Sequence, residues 1–411
     1  MFLKTITFAG AFALLGSTAI AGCGISSGNV SILSNDFPAI QAVTSVAATC
    51  AGDGVTVETN LTKDYKDIMV AALTANPAQY SSVIVNNSAL VALMNDGLLR
   101  PLDDMVAKYG AALNKNQLIT VNGKVMAVAF MANAQHLFSR VDVLKAAGVD
   151  SIPATYEEVL AAAEKIRAAD LMEYPVALNT KAGWNLAEEF INMYMGTGAD
   201  FFNPGTAEVA INNEHGVATL EMLKSLVAYS NPDYLTYDSN ATQAEWEAGN
   251  LALATMWGSR GSAVLDDEGS TAEVVAGTVL SAAPSWGNGP RPASTLWWDG
   301  IAISTNVSDE DAEATFAALM NGISPEVVKA NNDAAVWLVE GYIPSPASAG
   351  VAGTASGGAA PYPMLPFMGA LHGAIGAEIS DFLQGSESAE QALIDVEAAY
   401  TAAAKEQGFL K

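Results

Sequence analysis

The chain has 411 residues and a net charge of −26, from 44 acidic and 18 basic side chains. A hydrophobic content of 51% excludes disorder. The missing basic excess excludes nucleic-acid binding, which needs a positive face, and charge-driven docking on anionic lipid.

Residues 1–21 read as a signal peptide: Lys4 supplies the positive charge, Phe8–Leu15 the apolar core, and Ala19-Ile20-Ala21 a small-x-small cleavage pattern. About 390 residues remain, enough for two lobes with cores of their own. No later stretch is apolar for long enough to span a bilayer. Cys23 and Cys50 are the two cysteines. An exported compartment permits one disulfide between them, which ties the N-terminus to the end of the first helix. Ile20-Ala21-Gly22-Cys23 also looks like a bacterial lipobox, the competing reading, in which Cys23 carries a lipid anchor.

Asn29–Leu33 alternates like a first strand. Asp36 is placed to cap the following helix, with Pro38 in its first turn, and Ile40, Val43, Val46, Ala47 and Cys50 share one helical face. Asp36 is also a ligand candidate, because α/β sheets bind at the carboxyl ends of strands. Val55–Leu61 is the second strand, Tyr65–Ala75 a helix, and Val83–Val85 a third strand ending in Asn86-Asn87-Ser88, where Asn87 reads as a helix cap or a hydroxyl-binding amide. Asn122-Gly123 is a turn. Val125–Phe130 and Leu137-Phe138 are apolar runs separated by a polar break that contains Asn133, the pattern of a strand leaving one core for another. Tyr156–Ala169 is an amphipathic helix and Pro175–Leu178 a strand. Trp184 and Asn185 open the next helix. Leu251–Met256 is a strand closed by Trp257 and Arg260. Ser294–Ser304 carries Trp297, Trp298 and Asp299, and strand alternation assigns one of the two tryptophans to the core; Trp298 is taken as the ligand-facing one. Asp309–Asn321 is a helix. Gly350–Gly369 forms no clear element. Helices close the chain around 375–383 and 389–404.

Enzyme signatures are missing: no G-x-S-x-G elbow, no H-E-x-x-H, no paired C-x-x-C and no phosphate loop. His136, His215 and His372 are scattered, which argues against zinc. Glu188-Glu189 and Asp266-Asp267 are sequence neighbours, which point apart on a helix and make no glycosidase pair. No cofactor or metal is expected.

Three stretches carry a family resemblance: Gly97-Leu98-Leu99-Arg100-Pro101-Leu102-Asp103-Asp104, Gly123-Lys124 leading into its strand, and Arg140–Val149 with Ala154–Leu160. In the same order they resemble "GLL-PLDD", "GK-YGVP" and "KDLFKKAGL-PPTTWDEFL" of the extracellular solute-binding proteins of ATP-binding-cassette (ABC) sugar importers, the bacterial family 1, maltose/glucose-binding-protein-like type. Ala244–Asn250, Gly341–Pro346 and the segment around Gly385 extend the likeness. The resemblance implies an α/β, two-lobed periplasmic-binding-protein fold with three interlobe crossings, near Ala132, Leu296 and Tyr342, and a ligand cleft bordered by Tyr362 and His372. Its lobes would be 24–132 plus 299–342 and 133–298 plus 343–411. It implies a monomeric periplasmic receptor that closes on a small carbohydrate and hands it to permease subunits. Sugar chemistry asks for rings over C–H faces and planar polar groups at the hydroxyl rim. The candidates are Asp36, Asn87, Asn133, Trp184, Asn185, Trp257, Arg260, Trp298, Asp299 and His372. A receptor for a quaternary amine, held by cation–π contacts, and an exported carbohydrate-active enzyme are the alternatives.

Overall fold

A computed structural model describes residues 23–411; the signal peptide and lipobox assignments at 1–22 lie outside that range. The strands follow in the order β1 (Gly28–Ser34), β2 (Val55–Leu61), β3 (Ser82–Asn86), β4 (Leu118–Val121), β5 (Lys124–Asn133), β6 (Gln135–Arg140), β7 (Val176–Ala177), β8 (Leu253–Trp257), β9 (Thr278–Ser281), β10 (Thr295–Ile303), β11 (Val336–Trp337) and β12 (Ala360–Pro361). They make two sheets. The first has the order β11-β5-β10-β3-β1-β2, with β4 on β5 and β12 on β10; the second is β7-β8-β6-β9. β1 runs parallel to β2 and β3, whereas β10 is antiparallel to β3 and β5.

The chain passes between the sheets three times. The first pass takes a single residue, Ala134, between β5 and β6. Side chains of β5 such as Val128 and Phe130 bury in the first sheet's core, and Leu137 of β6 buries in the second's. The second pass is β10 itself: Trp297 packs into the second core, Trp298 and Ala302 against one side of the first, Ile301 and Ile303 against its other side. The third runs through Gly341–Ser345 to helix Ala349–Ser356.

Local chemistry sets these elements. Asn122 (φ 51°) and Gly123 (φ 77°) supply the left-handed pair of a tight turn joining β4 to β5. Thr155 and Glu158 form a reciprocal capping box at helix Tyr156–Ala168. Helix Pro38–Ala48 starts differently from expectation. Phe37 is its N-cap, without a side-chain cap, and the exposed Asp36 accepts from Gln41 Nε2 at 2.8 Å instead. Cys23 and Cys50 are joined as a disulfide, Cα–Cα 5.4 Å, beside that helix. The segment left without structure in the sequence reading holds helix Ala349–Ser356 and β12, and the helix expected from Ile375 begins at Met368.

Candidate functional site

Where the two sheets meet, three separate strand or helix ends deliver indoles to one place. Trp184 opens helix Trp184–Thr197 after Gly183, which takes φ 93°, a conformation open to glycine. Trp257 ends β8 and Trp297 lies early in β10. Trp184 stacks on Trp257 at 6.4 Å between centroids and meets Trp297 edge-on at 5.7 Å. Trp257 and Trp297 are 5.9 Å apart at 82°. Behind them Tyr362 lies 4.3 Å from Trp297, and His372 stacks on Trp184 at 4.7 Å.

Charged groups converge on this platform. Lys66, in the first turn of helix Tyr65–Thr74 on the first sheet's side, sets its Nζ 3.9 Å from the Trp184 ring centroid, inside cation–π range. Burial lowers the Lys66 ammonium to about 8, against the pull of Glu188 and Asp299, which favour its charge. Burial likewise pushes the Asp299 carboxyl up to about 7, with Lys66 opposing. Glu188 is fully buried one helical turn beyond Trp184. Its Oε1 accepts from Thr295 Oγ1 at 2.7 Å and Trp297 Nε1 at 2.9 Å, and its Oε2 has no partner. Desolvation raises it to about 8, with Glu189 beside it adding and Lys66 subtracting. Glu189, raised to about 7 by burial, accepts from Asn179 N and Thr255 Oγ1.

The register against β5 shifts between Asp299 and Gly300, where Phe130 of β5 is the extra residue, so β10 keeps its alternation. Alternation puts Asp299 on the same side of β10 as Trp297. Trp298, the tryptophan chosen from sequence, projects to the other side, onto the core with Tyr65 and Met126. Asp299 therefore shares a side of β10 with Trp297, which is only 4% exposed, while the half-buried Trp298 packs over the first sheet's core.

The remaining candidates are spread over several roles. Asn133 closes the first pass: its Oδ1 accepts from Ala134 N and Ser259 N, and its Nδ2 donates to Ser259 Oγ, linking β5 to the loop after Trp257. Asn87 is buried and clamps β10, accepting from Trp298 N at 3.0 Å and donating to Leu296 O; Asn86 is the helix cap. His372 is buried behind the platform, its Nδ1 on Tyr362 Oη and its Nε2 on the Trp184 carbonyl, each at 2.9 Å. Both ring nitrogens are committed, so it supports Trp184. Arg260 turns toward helix Ser239–Glu247, 3.4 Å from Gln243 Oε1. Asn185 is half-buried beside Trp184, and Asp36 stays at the head of its own helix. Sequence reasoning missed Lys66 and Glu188. A lysine on a helix reads as solvated surface, and the one hint for Glu188 was a carboxylate inside an otherwise apolar helix.

Two cavities open elsewhere. One, of about 1450 Å³, lies between Phe201–Val209 and the C-terminal Phe409–Lys411; the other, of about 580 Å³, lies between Ser88–Asp96 and Tyr362–Ala370. Neither is lined by Trp184, Trp257 or Asp299. Among the described residues no group of three or more His, Cys, Asp or Glu is placed to hold a metal ion.

Comparison with known proteins bears on this geometry. Residues 43–356 match the family model described as bacterial extracellular solute-binding protein. A probable ABC transporter-binding protein of Deinococcus radiodurans is 27% identical over 230 residues, 54% of this chain and 52% of the relative, so the chain spans about half of that relative's length. Among solved structures, maltose-bound MalE3 of T. maritima superposes with a TM-score of 0.80 at 18% identity, covering 92% of this chain and 100% of the other. A ribitol complex from Agrobacterium radiobacter K84 gives 0.79 at 20%, covering 92% and 99%. An Agrobacterium vitis S4 protein with bound D-mannitol gives 0.75 at 19%, covering 93% and 99%. At these identities the likeness is one of fold, the two-lobed periplasmic-binding-protein architecture.

Proposed function

The chain belongs to the bacterial extracellular solute-binding proteins, and we propose that it captures a small neutral carbohydrate or polyol by hinge closure and delivers it to the permease subunits of an ABC importer. The observation that carries this reading is the platform of Trp184, Trp257 and Trp297 set beside Asp299 and Lys66 at the meeting of the two sheets. Indole faces cover sugar C–H surfaces, while a carboxylate and an ammonium suit the hydroxyl rim. The lobes are 24–132 plus 299–342 and 133–298 plus 343–411, and a ligand touching both at once favours the closed form. Asn185 at the rim and Asn133 at the first pass complete the site. The signal peptide at 1–21 directs export, and the protein acts as a monomer. The sugar and polyol complexes among the structural neighbours are in keeping with the ligand class.

A thermal-shift panel of mono- and disaccharides, polyols and betaines tests it, since a ligand that binds the native state alone raises the melting temperature. A shift with a sugar or polyol supports the reading; a shift with betaines alone replaces it. Product in a reducing-sugar assay would move the chain to the enzyme class.

A further inference from the structure

Lys66 and Trp184 lie 118 positions apart in sequence and on helices that flank different sheets, yet the ammonium rests on the indole face at 3.9 Å. An indole face in a half-buried site is where a cationic ligand would be held. Here that position is filled by the chain's own cation, with the Glu188 and Asp299 carboxyls close enough to favour its charge. We propose that Lys66 is a specificity residue: its ammonium fills the cation position on Trp184, keeps cationic solutes out of the cleft by like-charge repulsion, and donates hydrogen bonds to the hydroxyls of a neutral ligand. This deepens the carbohydrate reading and rests on it for its second half alone.

The physical logic is that of selection by a repulsive element. The half-buried Trp184 and Trp257 rings with the Asp299 carboxyl, taken without the lysine, make a site for a quaternary ammonium. With the lysine, a second cation would have to sit against the first in a site that water screens poorly. The three N–H groups of an ammonium also match hydroxyl acceptors, which the methyl groups of a simple quaternary ammonium cannot offer. Asp299 adds the complementary acceptor from β10. One side chain thereby turns an aromatic platform suited to two ligand classes into a platform for one.

The test uses the full mature chain, with Lys66→Met and Lys66→Arg. Each is titrated with tetramethylammonium chloride against a sodium chloride control, and with the sugars and polyols of the panel, followed by tryptophan fluorescence and calorimetry. Lys66→Met is expected to bind tetramethylammonium saturably, at a concentration at least tenfold below any response of the parent. Trp184→Ala added to it should abolish that binding. Lys66→Arg keeps the charge and should stay closed to the cation. A folded Lys66→Met chain that responds to tetramethylammonium as the parent does would overturn the proposal. Should Lys66→Met not fold, Lys66→Gln takes its place under the same criterion. A parent that binds no sugar or polyol would sink the carbohydrate reading, while the cation comparison still decides the role of Lys66.

Discussion

Glu188→Gln isolates the energetic cost of the acid beneath the platform. The native carboxyl holds its proton up to about pH 8, against 4.5 for an ordinary glutamate, because it is fully desolvated. Between those values the native state binds more protons than the unfolded chain, so stability is greatest below pH 4.5 and is lost as pH rises through 8. Each unit of the difference corresponds to about 1.4 kcal/mol, which gives an upper bound of roughly 5 kcal/mol over the window. For a chain of this length that is about 6 °C in melting temperature. Glutamine keeps an oxygen for Trp297 Nε1 and Thr295 Oγ1 and removes the titration. Glu189 also resists ionisation and adds to the Glu188 shift, so the difference between the two chains reports the coupled pair. Urea or thermal melts of the ligand-free proteins from pH 5 to 9 should therefore show the parent losing stability relative to Glu188→Gln as pH rises, most steeply between about 5.5 and 7 and levelling off above 8. Parallel curves across that range would refute the reasoning, and so would a parent that gains on the variant with rising pH.

Asp299→Ala should weaken ligand binding about 10- to 100-fold in calorimetry, the loss expected of one charged hydrogen bond, with little change in ligand-free melting. Trp184→Ala should lower affinity through lost stacking, whereas Trp298→Ala, which opens the first core, should lower the melting temperature more than the affinity. Non-reducing intact mass should show two hydrogens lost at Cys23 and Cys50, and removing both cysteines should cost roughly 3 kcal/mol of stability for a loop of 27 residues; a diacylglyceryl mass on Cys23 would refute the bridge. Small-angle scattering should give a smaller radius of gyration with saturating ligand than without.

Much of the fold could be read in advance because many of its strands are short apolar runs and several helices, such as Tyr156–Ala168 and Asp309–Gly322, carry their own side-chain caps. The polar break at Ala132–His136 marked the first pass between sheets, and one residue, Ala134, makes it. The stretch 350–369 was opaque for a physical reason. Helix Ala349–Ser356 is built of small residues because it lies against β6 and β9: a Cβ on Gly350 would stand 2.1 Å from the His136 ring. Glycine lowers helix propensity, so the close approach that the tertiary fold requires erases the local signal for the helix. The same holds near Trp184. Gly376 passes the Gly183 backbone so closely that a Cβ would meet its carbonyl oxygen at 2.5 Å, and the helix carrying it starts seven residues before its apolar pattern becomes clear.

The site was harder to read because its parts are set by alternation and by contacts across long sequence separations. Composition at Leu296–Asp299 concentrated aromatic and acidic side chains but did not say which indole packs inward; alternation along β10 puts Trp297 with Asp299 and into the second core, and Trp298 over the first. Arg260 has the right chemistry at a strand end, and its side-chain hydrogen bond is to Gln243 Oε1 of helix Ser239–Glu247 at 3.4 Å. Lys66 has the opposite history. Nothing near it in sequence distinguishes it from a solvated helix lysine, and its partner ring comes from another sheet's helix. Strand ends could therefore nominate the aromatic platform, whose members each sit where a secondary-structure element begins or ends. The charge that selects among ligands on that platform depends on how the two halves meet, and it becomes visible only once Trp184 and Lys66 are seen face to face.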